Sequence, residues 1–243
     1  MAENRKMSGL AHQTLAGLLC MLASHGYAHT VWLEPVAADG QTFEVLFGDH
    51  NGKALALEPQ KLKSVDAVTA SGVTNVLDHA GSLGAMQVRV PQNTAMVLAH
   101  YDNGIWSRTL LGRSTNSPMN EVNLAISATW ALKYHKTVLD WMDLIAEPMG
   151  QAFEVVPLNA AQPRAGEPML VKVLLNGEPA AGVKLGHSED HADTETNAQG
   201  IAAFEPQGGF NRLWAGKRLA VDEPTHSQLS YEYLMIFEAR GQP

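Results

Sequence analysis

Eight histidines lie beyond residue 28: His29, His50, His79, His100, His135, His187, His191 and His226. Neutral imidazole is a common ligand for nickel, cobalt, copper and zinc. The positions differ in what they could present to a metal. His29 follows a sequence that reads as a cut site. His50 ends Phe47-Gly48-Asp49-His50, where a strand passes into a turn and a side chain can point into a cleft. His187 and His191 share an acidic loop with Glu189, Asp190 and Asp193. Their i, i+4 spacing is that of a zinc-protease pair, but such a pair needs one helix and a glutamate at a fixed position, and this segment reads as a loop. As plain structure the same loop is a solvated hairpin tip. His226 precedes the last strand. His100 and His135 lie inside apolar runs and read as packed side chains.

His29 has a second donor if the chain is cut before it. Arg5 and Lys6 precede a mostly apolar run from Leu15 to Ala23, and Gly26 and Ala28 supply small residues at −3 and −1. That is the pattern of a cleavable export signal over residues 1–28. Cleavage after Ala28 leaves 243 − 28 = 215 residues beginning with His29. The α-amine and the ring Nδ1 of that residue can close a chelate on one ion. The amine has a reference pKa of about 7.7–8.0, so a metal can displace its proton near neutral pH.

Composition narrows the function. The formal net charge of −8 argues against a nucleic-acid partner and against docking on anionic lipid. No run of 18 apolar residues follows the signal, so no stable membrane insertion is expected. The only cysteine, Cys20, lies within the signal, so a metal site must use nitrogen, oxygen or thioether donors. Export without disulfides points to a periplasm. Signatures of a serine-hydrolase elbow, a phosphate loop and a dinucleotide site are missing from the sequence.

The elements that must carry these residues read as strands. Thr42–Phe47, Met86–Val90, Ala95–Tyr101 and Ile105–Leu110 are short β-like runs, with Asp102-Asn103-Gly104 as a hairpin-type turn. Asn123–Trp141 fits a short helix running into a strand, although alternation at Trp130, Leu132 and Tyr134 fits a strand equally well. After Gly150 come Phe153–Leu158, a Pro-containing linker and a compact strand series from Met169 to Ala215, then a long strand over Gln228–Glu238. The expected architecture is mainly all-β: two β-sandwich-like domains, 29–150 and an Ig-like 151–243, with a short helix before the second.

In order along the chain, several segments resemble an exported family described as periplasmic nickel/cobalt uptake components, a domain-of-unknown-function group (DUF4198). They are His29-x-x-Trp32-Leu33-x-Pro35, Phe47-Gly48-Asp49-His50, Lys133-Tyr134-x-Lys136, Gly150-Gln151-x-Phe153-Glu154-Val155-Val156-Pro157 and Gly166-Glu167-Pro168. The second half also resembles the carboxypeptidase regulatory-like β-sandwich in its Asn176-Gly177-x-Pro179 and Asn197-Ala198-x-Gly200 turns. The likeness spans about His29 to Glu238. It implies two β-sandwich-like domains and delivery of a metal to an inner-membrane metal transporter. Arg212–Val221 departs from the family, because Gly216-Lys217-Arg218 interrupts an apolar closing strand.

The expected function is therefore an exported, non-enzymatic transition-metal-binding protein of the periplasm. It would bind Ni²⁺ or Co²⁺ through His29 with one or more of His50, His187, His191 and His226. Cu²⁺ and Zn²⁺ suit the same donors, since raw affinity does not favour nickel over copper. The rivals are a copper-dependent oxidase gripping its metal with an N-terminal histidine, and a metal-free structural or adhesive module.

Overall fold

A computed structural model describes residues 29–36, 40–49, 52–77 and 86–241. The export-signal reading at 1–28 and the ligand reading at His50 lie outside the described residues. The first half forms β1 (His29–Pro35), β2 (Thr42–Asp49), β3 (Ala54–Leu55), β4 (Leu62–Thr69), β5 (Gly72–Asn75), β6 (Met86–Arg89), β7 (Met96–Thr109), β8 (Ser114–Asn116) and β9 (Ala125–Val138). The second half adds β10 (Phe153–Pro157), β11 (Met169–Leu175), β12 (Glu178–Pro179), β13 (Lys184–Gly186), β14 (Thr194–Glu195), β15 (Ile201–Phe204), β16 (Gly209–Ala220) and β17 (Gln228–Ala239).

A nine-stranded sheet forms the middle, in the order β14-β13-β16-β17-β9-β7-β4-β5, with β8 on β7. Its strands come from both sides of Gly150. The join is β17 lying parallel to β9, with Gln228 opposite Thr129 and Ile236 opposite Thr137. A four-stranded sheet of β1, β2, β3 and β6 and another of β10, β11, β12 and β15 complete the fold.

Side-chain alternation assigns each small sheet to its own face of the middle one. On β7, Val97, Ala99 and Tyr101 pack with Val31, Leu33, Phe43, Val45 and Phe47 of β1 and β2. The intervening Met96 and Leu98 pack with Phe153, Val155, Val171 and Phe204 of the other sheet. The long central strands are thus buried on both sides, which is why their sequences read as continuous apolar runs. The result is two sandwiches that share a central layer, the all-β class expected from the spacing of strand-like runs.

Three local expectations change. The short helix within Asn123–Trp141 is instead a 3-10 turn at Met119–Glu121 followed by β9. β9 lies between β7 and β17, so ladder bonds on both edges claim its backbone and an α-helix there would forfeit them. The turn expected at Asp102-Asn103-Gly104 is a bulge. Asp102 faces Leu132 and Ile105 faces Trp130, so β7 carries one extra residue and continues to Thr109. Gly104, at φ +79°, supplies the conformation that the extra residue needs. β16 also runs unbroken through Gly216-Lys217-Arg218. A Cβ on Gly216 would come within 2.3 Å of the Trp214 ring, so this glycine makes room for the indole rather than ending the strand.

Two ion pairs are buried on opposite faces of β9. Lys133 bonds Glu232 across the parallel β9–β17 pair. Lys136 lies 3.2 Å from Glu154, and both side chains are almost wholly buried. The Glu154 carboxylate also accepts the Met149 N–H at 2.9 Å and the Gly150 N–H at 3.0 Å, while Lys136 Nζ donates to the Val155 carbonyl. Gln151 completes the brace: its amide donates to the Ala99 carbonyl and its oxygen accepts the Tyr233 hydroxyl. The Gly150–Glu154 segment is thereby fixed to the central sheet, which accounts physically for the charged residues in the Lys133–Lys136 and Gly150–Pro157 motifs.

Candidate metal centre

β1 forms because β-branched and aromatic residues fill Thr30-Val31-Trp32-Leu33, which suit a pleated, buried surface. Among the described residues it pairs only with β2, antiparallel, from His29 opposite Asp49 to Pro35 opposite Phe43. Val31 and Leu33 face the core, and Trp32 closes against Trp214 and Leu234. This clamping holds His29 at the strand's start. Its half-buried imidazole stacks on Phe47 at 5.4 Å between ring centres, and Phe47 stacks on Tyr101 at 4.7 Å.

Opposite His29, Asp49 is tied to Gly52 and Lys53. The Asp49 amide donates to the Lys53 carbonyl, the Gly52 amide to the Asp49 carbonyl, and the Lys53 amide to Asp49 Oδ1 at 3.0 Å. Gly48 is dictated by space, because a Cβ there would fall 2.2 Å from the Lys53 carbonyl oxygen and 2.9 Å from the Trp32 ring. The Phe47-Gly48-Asp49 part of the motif therefore has a direct reason: a side chain at 48 would push the turn off β1.

Arg212 of β16 supports this end from below. Its guanidinium lies over the Trp32 ring, 5.2 Å from the centre. Burial lowers its pKa, and the Glu34 and Asp49 carboxylates oppose that shift. Trp32 in turn donates its indole N–H to Glu34 at 2.8 Å. Beneath them His135 is fully buried, with Nε2 2.6 Å from Thr137 Oγ1. Its pKa falls to about 3, first because burial penalises the imidazolium and then because Arg212 repels it. His135 is thus a neutral packed residue, as its apolar sequence context suggests. Tyr101 is held neutral too, its pKa pushed up to about 12 chiefly by burial, so it offers no phenolate.

The remaining histidines are dispersed. His187 is exposed and tilts against Phe204 at 4.6 Å. His191, also exposed, has Nδ1 3.0 Å from Ser188 Oγ. β13, which leads into their loop, pairs with β16, and Ala192 of the loop packs against the Trp32–Trp214 cluster, yet among the described residues neither imidazole joins His29 in a ligand group. A cavity of about 300 Å³ opens beside that loop, lined by Glu189, Trp214, Arg218 and Glu232 among others, with Arg218 paired to Glu189 at 3.5 Å. His226 is buried edge-on to Trp130 and hydrogen-bonded to Thr225. Trp130 bonds Asp102 and packs into the core shared with the β10 sheet, whereas the His29 stack belongs to the β1 side.

Among the described residues, no group of three or more His, Cys, Asp or Glu side chains is close enough to hold a metal ion. What the fold does bring together is His29 and the turn that begins at Asp49, with His50 the next residue in the chain. Sequence reasoning missed Arg212 and the Lys136–Glu154 brace. A signal for the brace was available, since a lysine inside a strand buried on both faces needs a buried partner.

Residues 26–214 match a family described as a domain of unknown function (DUF4198). A Haemophilus influenzae relative, itself described as an uncharacterized protein, is 32% identical over 226 residues, 92% of this chain and 96% of the relative. In structure, the D0-D1 domain of Intimin aligns over 87% of this chain and 97% of that one, at 14% identity and a TM-score of 0.22, a likeness that carries no argument. The family match takes in β1, the Asp49 turn, both lysines of β9, the Glu154 segment and β16 as far as Trp214. On that match and on the extent of the bacterial relative, the chain belongs to the DUF4198 family.

Proposed function

We propose that this protein is an exported periplasmic carrier that captures Ni²⁺ or Co²⁺ at the start of its mature chain and supplies it to an inner-membrane metal transporter. The observation that carries the reading is the β1–β2 register, which sets His29 opposite Asp49, the residue before His50 in the chain. If export leaves His29 first, its amine and imidazole chelate the ion, and Asp49, opposite it on β2, and His50, next in the chain, supply further donors. An amine-imidazole set with one carboxylate suits nickel and cobalt, and copper and zinc compete for it. Arg212 keeps the turn seated on Trp32 and holds Asp49 in a positive field.

The decisive measurement compares two proteins made in the cytoplasm: one trimmed to begin at His29, the other carrying Gly-Ser before it. The extension keeps every side chain but turns the amine into an amide, a poor donor unless deprotonated. Nickel and cobalt affinity by calorimetry should fall at least about tenfold, or roughly 1.4 kcal/mol, in the extended form. Binding by the trimmed form should also weaken as pH drops from about 8 toward 6, because protons compete for both nitrogens. Equal affinity of the two proteins for Ni²⁺, Co²⁺, Cu²⁺ and Zn²⁺ would remove the His29-centred mechanism.

A further inference from the structure

The polar break at Gly216-Lys217-Arg218 borders a cavity on the central sheet. Leu185 of β13, Leu213 and Ala215 of β16, and Tyr231 and Tyr233 of β17 face the core shared with the β10 sheet. Alternation therefore turns Lys184, Trp214, Gly216, Arg218, Ser230 and Glu232 to the opposite face. All six line the cavity of about 300 Å³ beside the His187–His191 loop. That volume is at the lower end of the range for small-molecule sites. Register sets the six in two rows. Lys184 stands opposite Gly216, Gly216 opposite Glu232, and Glu232 opposite Lys133. In the next row Arg218 stands opposite Ser230. Because Gly216 has no side chain, Lys184 and Glu232 flank a gap two strands wide, roughly 10 Å at about 4.8 Å per strand.

The donors around this gap are open to a guest. Ser230 is only 4% exposed, yet its hydroxyl has no hydrogen-bond partner among the described residues. A buried hydroxyl is ordinarily satisfied, so one facing a cavity points to an acceptor inside it. Arg218 reaches Glu189 through a single nitrogen at 3.5 Å, and both side chains are partly in solvent, which makes a weak pair. Lys184 is exposed and has no ion pair among the described residues. The Glu232 charge is met by Lys133, while Lys217 is tied to the Ala181 carbonyl at 2.6 Å. The lining thus carries spare positive charge in a chain whose formal net charge is −8.

We propose that this cavity binds a small organic dicarboxylate. One carboxylate accepts from the Arg218 guanidinium and the Ser230 hydroxyl, the other meets Lys184, and the carbon skeleton lies beside the Trp214 ring. Glu189 already places a carboxylate at Arg218, so the guest takes over an interaction the protein makes loosely by itself. The planar guanidinium fork suits a carboxylate, and a phosphate dianion would concentrate its charge near Glu189 and Glu232. Two separated cationic points select two carboxylates over one. The site lies apart from His29 and does not depend on metal capture there.

Calorimetric titration of the metal-free mature chain with succinate, glutarate, acetate and inorganic phosphate is the test. Succinate or glutarate should bind saturably at one site, with acetate and phosphate at least about tenfold weaker. Lys184→Gln, Arg218→Gln and Ser230→Ala should each weaken that binding at least about tenfold while keeping the wild-type unfolding midpoint. Glu189→Gln should tighten it, because the carboxylate that competes for Arg218 is gone; a merely structural Arg218–Glu189 pair gives no such gain. A Gly-Ser extension before His29 should leave dicarboxylate affinity unchanged, which separates this site from the metal reading. No saturable binding of either dicarboxylate at millimolar concentration, wild-type affinity in the Arg218 variant, or tighter binding of phosphate than of both dicarboxylates would overturn the inference.

Discussion

Truncating Glu154 to alanine is expected to destabilise the fold by about 3–5 kcal/mol, because it strands a buried charge. Lys136 sits on the face of β9 that packs on the β10 sheet, and Glu154 is the only carboxylate bonded to it among the described residues. Burial already lowers the Lys136 pKa, and the neighbouring Glu154 charge opposes that shift. Without the carboxylate the ammonium is left with the Val155 carbonyl, and the Met149 and Gly150 amides lose their acceptor. Lys136→Met should cost less, about 1–3 kcal/mol, since the carboxylate keeps two backbone N–H donors. Urea unfolding of the three proteins checks the order, with unchanged m-values showing that the same fold is being compared. Losses below about 1 kcal/mol for both variants would mean that the pair is not closed to solvent as described.

Stability should fall as pH drops from about 6.5 toward 3, and His135 should carry a large part of the loss. In the folded protein its pKa lies at about 3, against about 6.5 when unfolded. Between those values the unfolded chain binds a proton that the folded one refuses. A depressed folded pKa therefore contributes stability that is present above about pH 6.5 and lost as pH falls through that window. At about 1.4 kcal/mol per pH unit, lowering pH to 5 removes about 2 kcal/mol. His100 adds to the trend in the same direction, since burial lowers its pKa as well. The check is the difference in unfolding free energy between pH 7 and pH 5 for the wild type and for His135→Gln. The variant should show a smaller difference, whatever its stability at pH 7, because its amide does not titrate there. An unaltered difference would mean that the His135 ring takes up its proton in the fold.

How far the sequence reached can be judged from particular segments. Period-2 patterns and turn residues were enough to mark β2, β6, β10 and the long closing strand β17, because these signals are local and act within one strand. The mainly β class followed from them. The end of the Thr42–Phe47 run at Gly48 was legible in the same way, whereas His29 stood out through the cut-site pattern that precedes it. Where the local signal was ambiguous, tertiary pairing decided. Asp102-Asn103-Gly104 has the composition of a hairpin turn, yet β9 lies along both halves of β7 and turns it into a bulge. Asn123–Trp141 had mixed periodicity, and its place between β7 and β17 made it a strand.

The sequence by itself determined the strand content, the supply of nitrogen and oxygen donors, and the lack of thiols beyond Cys20. Only the tertiary structure decided that the two halves share one sheet through the parallel β9–β17 pair, since parallel pairing across about a hundred residues leaves no short-range trace. The same holds for convergence of side chains. Glu154 and Lys136 meet because the β10 sheet packs on that face of β9, and His29 faces Asp49 because β1 pairs with β2 in one register. A shift of one residue in that register would turn the whole strand face over, so burial of Val31 and Leu33 is what fixes His29 against its turn.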